Sequence, residues 1–499
     1  MQVDVYGDTL CALVSATALA STGNQVQLHL PAGPHAEQLQ RGECPFREAG
    51  LADLMAEQMQ GGRLMLAPLA APPQPLAVIW LALNPDSMPE ALSLIAALPE
   101  RCTRRWLVVN QSTFAVGSSE LLQQTLLDCD TPPANPGAVV SLPDLLIEGN
   151  ALQSFMRADS WLLGADADWA RQLVTELLRP FNRRRDAVMP MRPREAEFTK
   201  LAITGMLATR LSYMNDMANL ADSLDVDIEQ VRQGMGADRR IGDAYLYPGC
   251  GFGGLSFSRD VMSLASTLEG SGLAAQLLDE VLNINERQKE VLFRKLWRHY
   301  GTDLRGRKVA LWGVAFKPET SRINNAPALK LLEALWAQGV EVHVHDPRAL
   351  DTLARWAGER DDLVLHQDPY AAVAGADALI ACNAVTDFFN PQVIRNSRGL
   401  VFTLPCLSVD SDALQAFLTE KSIRTAATTP APRCAMRPAA TAVGSAGVEK
   451  SRRAAGKRGG EEKGGERKRG NSRRGPGACS ARPLPRVAFA SFVRARHWM

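Results

Sequence analysis

The sequence predicts an α/β fold of two doubly wound units separated by a helical middle, and three observations carry that reading. Short apolar runs alternate with helix-period segments through residues 1–190. Residues 191–303 are almost purely helical in pattern, and the alternation returns over 304–425. Residues 426–499 have neither pattern and are rich in Gly, Arg and Lys.

In order along the chain, Val3 to Gly7 form a short apolar strand that runs into a glycine. Ala12 to Ala20 follow with small and apolar residues at helical spacing, and Val26 to Leu30 form the next strand. Leu76–Leu83 reads as a strand, Ser87–Ala97 as a helix, Trp106–Asn110 as a strand and Ser119–Leu127 as a helix. In the middle, Glu195 to Asp222 is one long amphipathic run and Leu273 to Trp297 another, with a glycine-rich loop between them at Pro248 to Gly254. Val309–Trp312, Val340–His345, Ala378–Cys382 and Leu400–Thr403 are the later strands, and Pro327–Ala337 is a helix among them. Both α/β units are therefore Rossmann-like.

Composition narrows the function classes. The chain is 46% hydrophobic and 22% charged, with no stretch of about eighteen uncharged apolar residues, so no membrane span is expected. The N-terminal apolar run has no positive region ahead of it and reads as a first strand and helix, not a signal peptide. Nine scattered cysteines form no CxxC, which points to free thiols in a reducing cytoplasm and away from a metal site. The net charge of +1 hides a split: residues 431–499 hold 17 Lys and Arg against four Glu, so the rest of the chain is acidic. The tail reads as disordered. Its charge alone could attract nucleic acid or anionic lipid, but nothing aromatic interleaves the basic residues, which favours an extension with no partner. His29 and His345 are single strand histidines without a visible ligand partner and read as structural.

Four segments, in order and at the right spacing, resemble the UDP-glucose/GDP-mannose dehydrogenase family. RGECPFREAGL (41–51) is close to RGxxPxxEPGL, and QSTFAVGS (111–118) to (K/Q)STVPVGT. EAEFTKLAITGMLATRLSYMNDMANLAD leads on to DRRIGDAYLYPGCGFGGLSFSRD, and VALWGVAFKPET spans 309–320. The resemblance covers roughly residues 1–420 and implies NAD in the N-terminal unit, a UDP-sugar in the C-terminal unit and a homodimer or higher homo-oligomer built on the middle helices. It implies oxidation of a sugar C6 alcohol to the acid through a cysteine thioester, in polysaccharide precursor synthesis.

The resemblance also implies roles for single residues. Lys200 matches the catalytic lysine, Asp260 an aspartate that moves a proton through water, and Arg240 an arginine reaching substrate across the dimer. Lys317 matches a substrate lysine, and Gly253 and Gly254 a loop whose backbone approaches the sugar nucleotide. Gly7, Thr9 and Ala12 occupy the GxGxxG positions, and Thr113 of QSTFAVGS the cofactor side of its strand end.

Several family positions are changed. GGSCFPKD reads GGLSFSRD, so Ser256 stands at the nucleophilic cysteine. NPEFLREG reads LPDLLIEG, which puts Leu142 at the asparagine and Asp144 at the glutamate, one methylene shorter; Thr204 replaces the asparagine of KxxxN. FKPxTxDxRxSP reads FKPETSRINNAP, with Arg322, Asn324 and Ala326 at altered positions. Thr9 brings a β-branched side chain, and Asp8 a negative charge, to the point where a pyrophosphate would rest. Leu30, followed by Pro31, stands where the ribose-binding acid is expected. Three readings stay open: a nucleotide-sugar 6-dehydrogenase, an oxidation that stops at the aldehyde, and a non-catalytic member that binds a sugar nucleotide or pairs with an active relative.

Overall fold

The structure, a computed structural model, describes residues 1–74, 78–98, 105–128, 137–182, 186–224 and 226–382, with the backbone of two further strands at 400–402 and 424–425. The expected basic tail lies outside the described residues.

The N-terminal sheet holds β1 (Gln2–Tyr6), β2 (Gln25–Leu30), β3 (Leu64–Pro68), β4 (Val78–Leu81), β5 (Leu107–Asn110), β6 (Ala138–Ser141), β7 (Trp161–Gly164) and β8 (Val188–Met191). Their order is β3-β2-β1-β4-β5-β6-β7-β8. The pairs from β3 to β6 are parallel; β7 joins β6 antiparallel through Ser141 and Gly164, and β8 pairs parallel with β7. Several of these strands are buried on both faces, which is why they read as unbroken Val/Leu/Ile runs. The first helix, Leu10–Ser21, is buried almost all round. Its Ala, Ser and Thr residues let it lie close to the sheet and to helices Leu51–Gln60 and Ala151–Met156.

The second sheet holds β9 (Lys308–Trp312), β10 (Glu341–His345), β11 (Leu363–Leu365), β12 (Ala378–Ala381), β13 (Leu400–Phe402) and β14 (Arg424–Thr425), in the parallel order β11-β10-β9-β12-β13-β14. The return of alternation after residue 304 is thus a second doubly wound sheet. Between the sheets lies a 32-residue helix, Pro193–Leu224, about 48 Å long at 1.5 Å per residue. Helices Leu255–Gly270 and Gln276–Lys289 pack on it. The run expected from Leu273 to Trp297 is broken at Glu290 into Gln276–Lys289 and Val291–His299. The break sends Val291, Leu292 and Leu296 into the core of the second sheet while Leu278 and Val281 stay in the helical core.

The turn after β1 is the tightest point of the first sheet. Gly7 has φ +134°, and a Cβ there would lie 2.3 Å from the Ala82 carbonyl oxygen. The obstacle is backbone and cannot swing away. Gly7→Ala is expected to destabilise the fold by about 3 kcal/mol or more, read as a fall in the denaturant midpoint.

Candidate active site

A cavity of about 460 Å³ opens at the carboxyl ends of the parallel strands, where open α/β sheets bind ligands. The turn after β1 contributes Asp8 to Cys11, the end of β5 Gln111 to Thr113, and the loop after β6 Asp144 and Glu148. Lys200 and Thr204 enter from the long helix, and Ser256 and Asp260 from helix Leu255–Gly270. Lys317 and Arg322 come from the loop after β9. Segments more than 300 residues apart in sequence therefore meet in one chamber.

At its centre Lys200 Nζ lies 3.6 Å from Asp260 Oδ2, with side chains 15% and 3% exposed. Burial pushes the Asp260 carboxyl up, and the Lys200 ammonium pulls it back less strongly. The Thr204 hydroxyl donates to the Lys200 carbonyl at 3.2 Å, so it is committed to the helix backbone. Asp144 accepts from the Leu146 amide at 2.8 Å, a local turn that fixes its carboxylate. Leu142 is buried in the core and offers no amide to the cavity. Ser256 is exposed in the first turn of its helix, and its hydroxyl makes no hydrogen bond with the described residues.

Gly253 and Gly254 line the cavity, but the expected reason for glycine changes. What their missing Cβ atoms make room for is protein. At Gly253 a Cβ would lie 2.6 Å from the Asn325 carbonyl oxygen, and at Gly254 (φ +86°) 2.9 Å from the Phe316 ring. The Gly254 amide also donates to the Asn324 carbonyl. The loop is therefore clasped to the segment that follows β9.

Three expected residues are not brought to the cavity: Gly7 is buried in the turn against Ala82 and does not line it. Ala12 is wholly buried in the first core, where its small side chain allows close packing. Arg240 is 88% exposed and bonded to Asp238 beyond helix Ile228–Ala237, away from the chamber of its own chain.

Some contributors were not legible as such. Arg322 sits two positions before the expected arginine, yet it turns into the cavity, pairs with Glu148 at 3.2 Å and lies over the Phe46 ring. Burial pushes Glu148 up and Lys317 down. His35 also lines the cavity, with Nδ1 3.0 Å from Asp8 Oδ2 and its ring edge-on to Phe46. The segment RGECPFREAGL pointed to this wall, but nothing in it signalled His35.

The turn after β1 is internally bonded. The Thr9 hydroxyl accepts from the Ala12 amide at 3.1 Å and donates to the Ala82 carbonyl at 2.8 Å, making Thr9 the helix N-cap. The Asp8 carboxylate is partnered by His35. Leu10 and Cys11 line the cavity, and their amides precede the helix's first internal bond, the arrangement that receives a diphosphate. At the ribose end, Leu30 closes β2 with an apolar side chain.

Three family models match in series: the UDP-glucose/GDP-mannose dehydrogenase NAD binding domain at 1–182, the central domain at 194–287 and the UDP binding domain at 310–403. The chain belongs to the UDP-glucose/GDP-mannose dehydrogenase family. It is 38% identical over 412 residues to a UDP-glucose 6-dehydrogenase of Pseudomonas aeruginosa, covering 80% of this chain and 91% of that one. It is 31% identical over 432 residues to UDP-glucose 6-dehydrogenase TuaD of Bacillus subtilis, covering 84% and 90%. The solved UDP-glucose dehydrogenase of Pyrobaculum islandicum superposes with a TM-score of 0.71 at 27% identity, over 81% of this chain and 94% of that one. The first sheet is thus the family's NAD-binding domain, and the chain's cofactor is NAD.

Proposed function

We propose that this protein oxidises the C6 alcohol of a UDP-sugar of the UDP-glucose kind and releases chiefly the aldehyde. The observation that carries the reading is the Lys200–Asp260 pair, kept in a cavity where Ser256 stands at the thiol position. The Lys200 ammonium stabilises the alkoxide oxygen as the hydroxyl loses its proton. Asp260, whose proton affinity is raised by burial, takes that proton through water. Bound NAD supplies the hydride acceptor. Lys317 and Arg322 supply cations suited to the substrate diphosphate. The second oxidation needs the aldehyde held as a covalent adduct, and a serine hydroxyl without a bonded base holds it poorly.

Substrate class and a role in polysaccharide precursor synthesis rest on the relatives. Among the described residues no helix is long and apolar enough to cross a membrane; the proposed setting is the cytoplasm. The test mixes full-length protein with NAD and UDP-glucose and follows NADH absorbance. Steady production supports an enzyme. No NADH, with the sugar nucleotide still bound in a titration, favours the alternative, a binding or partner subunit; Ser256 and Leu142 are the residues that speak for it.

We further propose a homodimer through the helical middle. Phe198, Met206, Tyr213 and Leu220 are exposed on helix Pro193–Leu224, at spacings of eight, seven and seven that lay them along one stripe. The dimer is where Arg240 would reach a partner's cavity. Met206→Arg combined with Tyr213→Arg is expected to halve the mass measured by light scattering. An unchanged mass would move the interface elsewhere.

A further inference from the structure

We infer that the dinucleotide site of this chain accepts the 2′-phosphate of NADP and binds NADP to within about threefold of its affinity for NAD, with Leu30 and His35 setting the preference. The inference rests on the dinucleotide reading of the cavity and not on turnover.

In this fold an acidic side chain at the end of the second strand binds the adenosine ribose hydroxyls. The same carboxylate repels a 2′-phosphate, and that repulsion is much of what selects NAD. Here β2 ends at Leu30, which is 4% exposed, and its carbonyl accepts from the Leu69 amide. Residues 31–36 read Pro-Ala-Gly-Pro-His-Ala and contain no acid. The next acid, Glu37, is exposed on helix Pro34–Gln40 and does not line the cavity. The repelling charge is therefore gone from the strand end.

A hydrogen-bonding imidazole follows five residues after the strand end. His35 is at the start of helix Pro34–Gln40, directly after the β2 loop, and its ring lines the cavity beside the turn that receives the diphosphate. It is held in place by Asp8 at 3.0 Å and by the edge of Phe46. Asp8 is the acid that faces this imidazole. A 2′-phosphate adds about two negative charges and three acceptor oxygens, to which a His35 ring N–H can donate in competition with Asp8. NAD brings no such group and finds no carboxylate for its ribose hydroxyls at Leu30. The two losses and one gain all shift preference toward NADP.

The experiment is calorimetric titration of the full chain with NAD and with NADP at one salt concentration. The expected result is an NADP dissociation constant no more than about threefold above that for NAD. His35→Ala should weaken NADP by roughly tenfold and NAD by less than about threefold. Leu30→Asp should weaken NADP relative to NAD by roughly tenfold, with folding checked by circular dichroism because the site is buried. NAD binding with NADP more than about threefold weaker in the unaltered protein would overturn the inference and leave the proposed function standing. Binding of neither dinucleotide would overturn the inference together with the cofactor reading. Equal loss of both dinucleotides in His35→Ala would overturn the role given to His35.

Discussion

Lys200→Ala should lower kcat for NADH formation by roughly 100- to 1,000-fold while leaving UDP-glucose affinity within about threefold. The reason for the split is positional. Lys200 sits beside Asp260 in the cavity, whereas Lys317 and Arg322 come from the loop after β9. Ground-state binding of the diphosphate draws on that loop, and the Lys200 ammonium acts where charge develops. The substitution also leaves Asp260, 3% exposed, without its cation. Its carboxyl then rises further, because the lysine is the strongest influence opposing burial. Lys200→Arg keeps the charge but moves it, and should recover only part of the loss. A KM change with kcat intact would mean that Lys200 binds substrate without assisting the reaction.

Ser256→Cys should raise the yield from about one NADH per sugar to about two, and an aldehyde trap should find little to capture in the variant. The position favours a thiolate. Residue 256 lies in the first turn of helix Leu255–Gly270, where unpaired amides stabilise negative charge. It is exposed in the cavity that holds Lys200. The thiol can add to the aldehyde and hold it for the second oxidation, and Asp144 is the nearest substitute for the glutamate that assists hydrolysis. If the variant still stopped at one NADH, Ser256 would not be what limits the chain.

Much of this arrangement was legible in the sequence, and the exceptions share a cause. Strand and helix patterning located both sheets because parallel strands buried on two faces must be continuously apolar. The four quoted segments located most of the chamber because they resemble motifs whose site residues are known in the family. Side-chain direction was not legible. The partner of the Thr9 hydroxyl is the Ala82 carbonyl, 73 residues away. Asp8 looked like an unpaired charge until His35 was found 27 residues on. Arg322 looked displaced, yet Glu148 draws it into the cavity from 174 residues away. Each depends on a partner that only the folded chain brings near. The bend at Glu290 is similar, because both helices it joins have helix periodicity and only the two separate cores distinguish them.

The account's central claim is that this cavity oxidises an alcohol but does not hold the aldehyde. The most direct measurement is the count of NADH formed per UDP-glucose consumed by the unaltered protein, with a carbonyl trap present and the sugar product identified by mass. The account predicts one NADH per sugar and a trapped aldehyde. Two NADH per sugar with free uronic acid as the product would contradict it.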